Sequence, residues 1–294
     1  MANTINKAAF YAEELDAELQ KRLCTSVLEK PNFIKDAQAG SVYIPSITMD
    51  GLGDYSRSTG YPAGDVTYTW TQYTLSQDRG RSFSIDTMDE EESKGAFKNL
   101  AKEYERVKVA PEVDLYRFAK MYTSVKAANK STTAITVANA LTELDKAIKS
   151  ATDNNVDIEN CYFFVSATFA HLLRTSTELI RVLQLKEIGE DVKTKVLSYN
   201  GVPLIEVPAS RFYTLYSKDA NTGEYSADTV NGKAINFFFV PKECVIPVVK
   251  HAPVKIFAPE VNQEADAWKY QIRLYHDIIV PTNKADGLYV SHAA

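Results

Sequence analysis

The stretch VYIPSI (42–47), with MDGLGDYSRSTGYPAGD (49–65), VTYTWTQYTL (66–75) and DRGRSFSI (78–85) after it, decides the fold. The first piece is a short strand interrupted by Pro45, and a proline within a strand marks an edge or a bulge. The second holds four glycines, one proline and three aspartates, the composition of a loop. The third alternates by twos, with Val66, Tyr68 and Trp70 on one side and Thr67, Thr69 and Thr71 on the other. Asp78-Arg79-Gly80-Arg81 reads as a charged turn into a second short strand, Ser82–Ile85. Residues 42–86 thus form a long β-arm with a glycine-rich tip. A two-stranded ribbon is marginal in water by itself, so the arm is expected to lean on another surface.

Outward from the arm, residues 5–29 predict an amphipathic helix, with Leu15, Leu19, Leu23 and Val27 recurring every four residues until Pro31 ends it. After the arm, Asp89 with Glu92 makes a variant capping box for a helix to about Val107. The acidic run Glu90–Glu92 reads as a solvated helix start, favoured by the helix dipole, rather than a metal site. Pro111 suits the first turn of a second helix, which presents Leu115, Phe118, Ala119, Tyr122 and Val125 at helical spacing.

Beyond the linker 129–133 the pattern turns α/β. Thr136 is expected to cap a helix carrying Ala140, Leu141, Leu144 and Ile148, and Ser166 one carrying Phe169, Leu172 and Leu173. Cys161–Val165 is wholly apolar, as in a sheet buried on both faces. Tyr199-Asn200-Gly201-Val202 is a strong hairpin signal. Residues 217–233 read as a surface loop, and 235–240 as another apolar strand. The end of the chain is β again. The segment 245–257 is bent or at an edge because of Pro247 and Pro253, and 268–278 alternates, with Trp268, Tyr270, Ile272, Leu274 and Ile278 on one side.

The 294 residues are 45% hydrophobic and 24% charged, ordinary for a globular protein and unlike a disordered chain, a collagen or a long coiled coil. No apolar run is long enough for a membrane span, and no secretory signal is visible. The net charge of −5 is not that of a protein built to grip nucleic acid. Cys24, Cys161 and Cys244 are sparse and far apart, which argues against a disulfide framework and a zinc site and for reduced core thiols. The 17 tyrosines against 13 phenylalanines favour half-wet surfaces. No GxGxxG follows a strand, and neither GxxxxGK[ST] nor GxSxG occurs. His171, His251, His276 and His292 lack HxxxH or HExxH spacing. His171 reads as a half-buried structural residue of a helix, and His276 as filling a sheet face. No catalytic residue, cofactor site or metal site is suggested.

The order of parts carries a resemblance. VYIPSI followed by GLGDYSRSTGYPAGDVTYTWTQYTLSQDRGRSFSIDTMDEEES resembles the extended loop of tailed-bacteriophage major capsid proteins, and VAPEVDLYRFAKM the region after it. LTELDKAIKSATDNNVD, CYFFVSATFAHLL and YNGVPLIEVPASRF resemble the helix, strand, helix and hairpin of the family's axial domain. AINFFFVPKECVIPVVKHAPVKIFAP resembles the return to its peripheral domain. The resemblance covers essentially the whole chain, and encapsulins share the fold.

The resemblance implies an α+β fold with an N-terminal arm (1–41), an extended loop (42–86), a peripheral domain with a spine helix (87–131 and 246–294) and an α/β axial domain (132–245). It implies a structural protein, not an enzyme, assembling with itself through hexamers and pentamers into an icosahedral head around double-stranded DNA. The setting would be the virion, with assembly in the bacterial cytoplasm. The expected partners are a separate scaffolding protein, a portal and a decoration protein. An encapsulin-like compartment is the alternative, and a soluble α/β enzyme a distant one. The residues expected at contacts between subunits are Arg57, Tyr68, Trp70, Arg79, Arg81, Asp86 and Glu90; Arg79 and Arg81, close to Asp86, Asp89 and Glu90–Glu92, are read as pairing across subunits, as pairing within the base of the arm, or as solvated turn charges. Some relatives weld their shells through a lysine on the extended loop. This chain has no lysine between Lys35 and Lys94, so non-covalent contacts are expected.

Overall fold

The structure, a computed structural model, describes residues 23–29, 35–36, 41–87, 103–176, 184–188, 194–251 and 254–294. Residues 5–22 of the helix expected over 5–29, and the capping box at Asp89–Glu92, lie outside these residues. The chain divides into two compact units, Lys30–Gln77 and the remainder.

The smaller unit is the arm. Strand β1 (Lys35–Asp36) pairs with β2 (Ser41–Met49), which pairs antiparallel with β3 (Val66–Thr74) from Ser41↔Thr74 to Met49↔Val66. Pro45 sits opposite Trp70, beyond the reach of β1, whose pairing stops at Val42 and Tyr43. Among the described residues β1 does not extend alongside Pro45, and an edge is where a strand tolerates proline. The alternation of β3 does not produce a buried face: every residue from Val66 to Gln72 is exposed.

After the arm the larger unit resumes at Asp78, in β4 (Gln77–Asp86). Asp78–Arg81, expected as a turn, continues this strand, which pairs with β15 (Ala267–Ile279). Gly80 permits that approach, since a Cβ there would lie 2.9 Å from the Ile272 carbonyl oxygen. The two helices expected around Pro111 are one continuous helical run. A π-turn, Glu105–Val109, leads directly into α1 (Ala110–Ser124), with the Ala110 N–H bonded to the Glu105 carbonyl. The wider turn accommodates the missing donor of Pro111 inside the run.

A seven-stranded sheet forms the body of this unit. After β5 (Lys130–Ser131) and α2 (Ala140–Asp153) come β6 (Cys161–Ser166), α3 (Ala167–Thr175), β7 (Gln184–Ile188), β8 (Thr194–Tyr199) and β9 (Val202–Val207). The hairpin β10 (Tyr216–Lys218) and β11 (Tyr225–Ala227) follows, then β12 (Ile235–Pro241), β13 (Ile246–His251), β14 (Val254–Phe257) and, after β15, β16 (Tyr289–His292). The sheet order is β5-β16-β12-β6-β9-β8-β7. Its central strands are buried on both faces, as their apolar runs require. Phe163, Val165, Phe237 and Phe239 pack with Leu144, Ala147 and Leu173 of α2 and α3, while Phe164, Phe238 and Val240 pack with Phe118 and Met121 of α1. The Asn200-Gly201 turn between β8 and β9 has φ of 47° and 80°, the primed hairpin geometry.

Ser166 Oγ caps α3 by accepting from the Phe169 N–H at 3.1 Å. Thr136 does not cap α2. Its N–H bonds to Asn139 Oδ1, and a turn over 137–139 precedes the helix. The expected loop 217–233 contains the β10–β11 hairpin, and His171 is exposed rather than half-buried. A second sheet sets β13 and then β14 along β15. Pro247 lies in β13, whose only partner among the described residues is β15.

Residues 23–29, expected as the end of a helix, hold a 3-10 turn, Cys24–Leu28. A continuing α-helix would send the N–H groups of Cys24 and Thr25 back to carbonyls four residues earlier. Here both donate to the buried Asp114 carboxylate, at 3.0 and 3.2 Å. The Thr25 hydroxyl (2.8 Å) and Arg211 Nη1 (3.1 Å) complete its shell. Beside it, the buried Arg117 donates to Thr25 Oγ1 and Glu29 Oε1. Among the described residues no helix is long and apolar enough to cross a membrane.

Because the stability of the larger unit resides in the two-faced sheet, Phe238→Ala is expected to cost about 3–5 kcal/mol in denaturant unfolding. Tyr61→Ala, on an arm residue 88% exposed, is expected to change stability by no more than about 0.5 kcal/mol. Similar losses from both would contradict this division.

Candidate functional site: an aromatic arm and a basic cavity

Two surfaces stand out, one in each unit. On the arm, Tyr68 and Trp70 lie two residues apart on one face of β3, their rings edge to face at 5.5 Å, with 51% and 39% of their surfaces exposed. Ile47, Met49 and Val66 extend the exposed apolar surface toward the tip. There Asp50 holds the base of the loop: its N–H bonds to the Asp65 carbonyl and its carboxylate accepts from the Asp65 N–H at 2.8 Å. The rings of Tyr55 and Tyr61 meet at 5.0 Å, both exposed. Gly60, at φ 81°, closes a small turn onto Ser56, and Arg57 sits exposed within that turn.

In the larger unit, Arg79 and Arg81 point from β4 toward the β10–β11 hairpin. Arg79 Nε bonds to Glu112 Oε1 at 2.6 Å, its Nη2 to the Gly223 carbonyl at 2.7 Å, and its guanidinium lies 4.1 Å from the Tyr225 ring centre. Burial alone would lower its pKa; the Glu112 carboxylate more than offsets this and raises it. Arg81 Nη2 donates to the Thr222 carbonyl at 3.0 Å. Among the described residues the partners of the two arginines are Glu112 of α1, the hairpin carbonyls and, for Arg81, Tyr104; the acidic run Asp89–Glu92 lies outside them. Asp86 ends β4, exposed, and Glu90 lies outside the described residues.

Both arginines line a cavity of about 740 Å³ with Lys108, Glu112, Lys218 and Glu224. Tyr104, Tyr225 and His276 contribute aromatic surface. His276 does fill a sheet face. It is 2% exposed, with its ring against Tyr116 and its Nδ1 without a hydrogen-bond partner. Burial first, and then the Arg117 charge, push its pKa down to about 3, against an opposing pull from Asp277. The sequence reading missed Glu112, Lys108, Lys218 and Glu224, because the hairpin that gathers them lies more than 130 residues beyond β4. Among the described residues no cluster of His, Cys, Asp or Glu could hold a metal ion. Cys24 and Cys161 are pushed up to about 12, chiefly by burial, so neither is a thiolate nucleophile near neutral pH.

No protein-family model matches the sequence, and no curated protein does. Solved structures match over nearly the whole chain. A chain of the bacteriophage PhiM1 mature capsid aligns with TM-score 0.60 and 12% identity, covering 88% of this chain and 83% of that one. One from Mycobacterium phage Che8 gives 0.57 and 15%, covering 86% and 85%. The virus-like particle from Pyrococcus furiosus gives 0.57 and 10%, covering 99% and 100%. At these identities the likeness is one of fold: the chain has the α+β fold of tailed-phage major capsid proteins.

His276 makes stability pH-dependent with a defined sign. The unfolded ring takes up a proton below about pH 6.5 and the folded ring only near pH 3. Its contribution is complete above the first value and is lost as pH falls toward the second. His276→Phe is expected to flatten the pH dependence of unfolding free energy between pH 6.5 and 4, by up to about 1.4 kcal/mol per pH unit. An unchanged slope would contradict the assignment.

Proposed function

We propose that the chain is a major capsid protein, a structural subunit that assembles with itself through hexamers and pentamers into an icosahedral shell enclosing double-stranded DNA. The observation that carries the reading is the arm. It is a nine-residue-paired ribbon with exposed aromatic and aliphatic side chains, on a fold whose matched structures include a mature phage capsid. Exposed apolar surface of this extent marks a site of protein association.

The remaining parts of the proposal follow from the reading. The domain roles are a peripheral domain at 87–131 and 246–294 around α1 and β15, and an axial domain at 132–245 around the seven-stranded sheet. The subunit contacts are Arg57, Tyr68, Trp70, Arg79, Arg81, Asp86 and Glu90. The working place is the virion, after assembly in the bacterial cytoplasm with a scaffolding protein, a portal and a decoration protein. The role is non-enzymatic. With no lysine on the arm, the contacts are non-covalent. The acidic balance suits a container that must release its DNA. A second reading, a cargo compartment, is favoured by the end-to-end match to the Pyrococcus furiosus particle; the phage matches weigh against it.

Electron microscopy of the purified chain, alone and coexpressed with neighbouring phage genes, tests this. Closed shells of icosahedral outline are expected, and packaged DNA separates a head from a cargo compartment. A small discrete oligomer under both conditions would contradict the reading.

A further inference from the structure

All three cysteines are thiols, and the fold brings two of them to one place. Cys161 opens β6 and stands opposite Pro241 at the end of the β6–β12 ladder. Cys244 follows Pro241 by three residues, across the 3-10 turn Lys242–Cys244. Such a turn advances only about 2 Å per residue, so Cys244 remains beside the end of the ladder that holds Cys161.

The neighbours of the two sulfurs coincide. A Cβ on Gly287 would lie 2.7 Å from Cys244 Sγ, 3.0 Å from Val156 Cγ2 and 3.4 Å from Pro241 Cγ, so these three atoms surround one point. Cys161 Sγ donates to the carbonyl of Asp157, the residue after Val156, at 3.0 Å. Both thiols therefore flank Pro241 and the Val156-Asp157 step, and both side chains are buried. Burial chiefly, and after it Cys244, push the Cys161 thiol up to about 12. Cys24 has other surroundings, Asp114 and Arg211.

We propose that Cys161 and Cys244 are a redox-responsive pair that closes to an intrachain disulfide when the chain meets a peroxide, tying the seven-stranded sheet to the entry of β13 in the second sheet. Hydrogen peroxide suits a buried pair because it is small and uncharged. One sulfur, as thiolate, attacks a peroxide oxygen. The O–O bond breaks, hydroxide leaves and takes up the thiol's proton, and a sulfenic acid remains. The other sulfur attacks the sulfenic sulfur. Its S–O bond breaks, the oxygen departs as water with the second thiol's proton, and the S–S bond forms. Two thiols lose two electrons, and one peroxide becomes two waters. Burial keeps the thiolate scarce, so closure is slow. The pair stays open in a reducing cytoplasm and closes in an oxidising medium. That change of medium rests on the shell-subunit reading; the closure itself does not. The link joins positions far apart in the chain, the case in which a cross-link most restricts the unfolded state.

Peptide mapping of the full chain tests it. The reduced, folded chain is held in dilute hydrogen peroxide for days, its remaining thiols are alkylated, and it is digested without reductant for mass spectrometry. A peptide pair joined through Cys161 and Cys244, lighter by two hydrogens than the separate peptides, is expected, with Cys24 outside the link and the chain still a monomer on a non-reducing gel. The thermal midpoint of the linked chain is expected to rise by about 5 °C over the reduced one. Cys244→Ser is expected to abolish both the link and the rise. Thiols left unlinked, sulfinic or sulfonic acids in place of the link, or links chiefly to Cys24 or between chains would each overturn the proposal. So would a linked chain no more stable than the reduced one. Should Cys244→Ser fail to fold, the map and midpoint of the wild-type chain decide alone. A chain that forms no shells would overturn the shell reading and leave this test standing.

Discussion

The outer half of the arm, where among the described residues only β2 and β3 pair, has two faces and no interior. The pairing from Ser41↔Thr74 to Met49↔Val66 joins the strands, but beyond its buried base at Val42 and Ile44 it covers little side-chain surface, and β3 is exposed along most of its length. Tyr68, Ile47 and Met49 therefore keep about half or more of their surfaces exposed, a state that burial against a partner would relieve by about 25 cal/mol per Å² covered. The compact unit does not share this debt. Its seven-stranded sheet is covered on one side by α2 and α3 and on the other by α1. The two units thus differ: one has its sheet covered on both faces, and the other leaves much of its apolar side-chain surface exposed.

How the compact unit is tied together depends on polar contacts as well as packing. Asp114 and Arg117, one helical turn apart on α1, are both fully buried and gather the Cys24–Leu28 turn and Arg211. Removing one member of such a network leaves buried charge without compensation, which is far costlier than losing an exposed ion pair. The cavity ion pairs, Arg79–Glu112 and Lys108–Glu224, are more exposed, and serve better to set the charge of a surface than to stabilise the fold.

The sequence disclosed what rests on local pattern. The runs Cys161–Val165 and Ile235–Val240 announced strands buried on both faces, Asn200-Gly201 announced its turn, and Ser166 its cap, because each depends on neighbours in the chain. What it hid depends on residues far away. The 3-10 turn at Cys24–Leu28 exists because Asp114, about 90 residues on, takes its N–H groups. Asp78–Arg81 looks like a turn by composition and is a strand because β15 pairs with it. Residues 217–233 look like a loop, yet their hairpin gathers the charges that face Arg79 and Arg81. Of the site, the aromatic arm was readable and the cavity was not, since its wall is assembled from segments over 100 residues apart.

The central claim is that the arm completes its burial only against another copy. Amide hydrogen exchange, compared between unassembled subunits and assembled shells, measures this directly. The account predicts strong protection of Phe163–Val165 in both states, and protection of the arm, 42–77, that rises sharply on assembly. An arm as well protected in the isolated subunit as in the shell would contradict it.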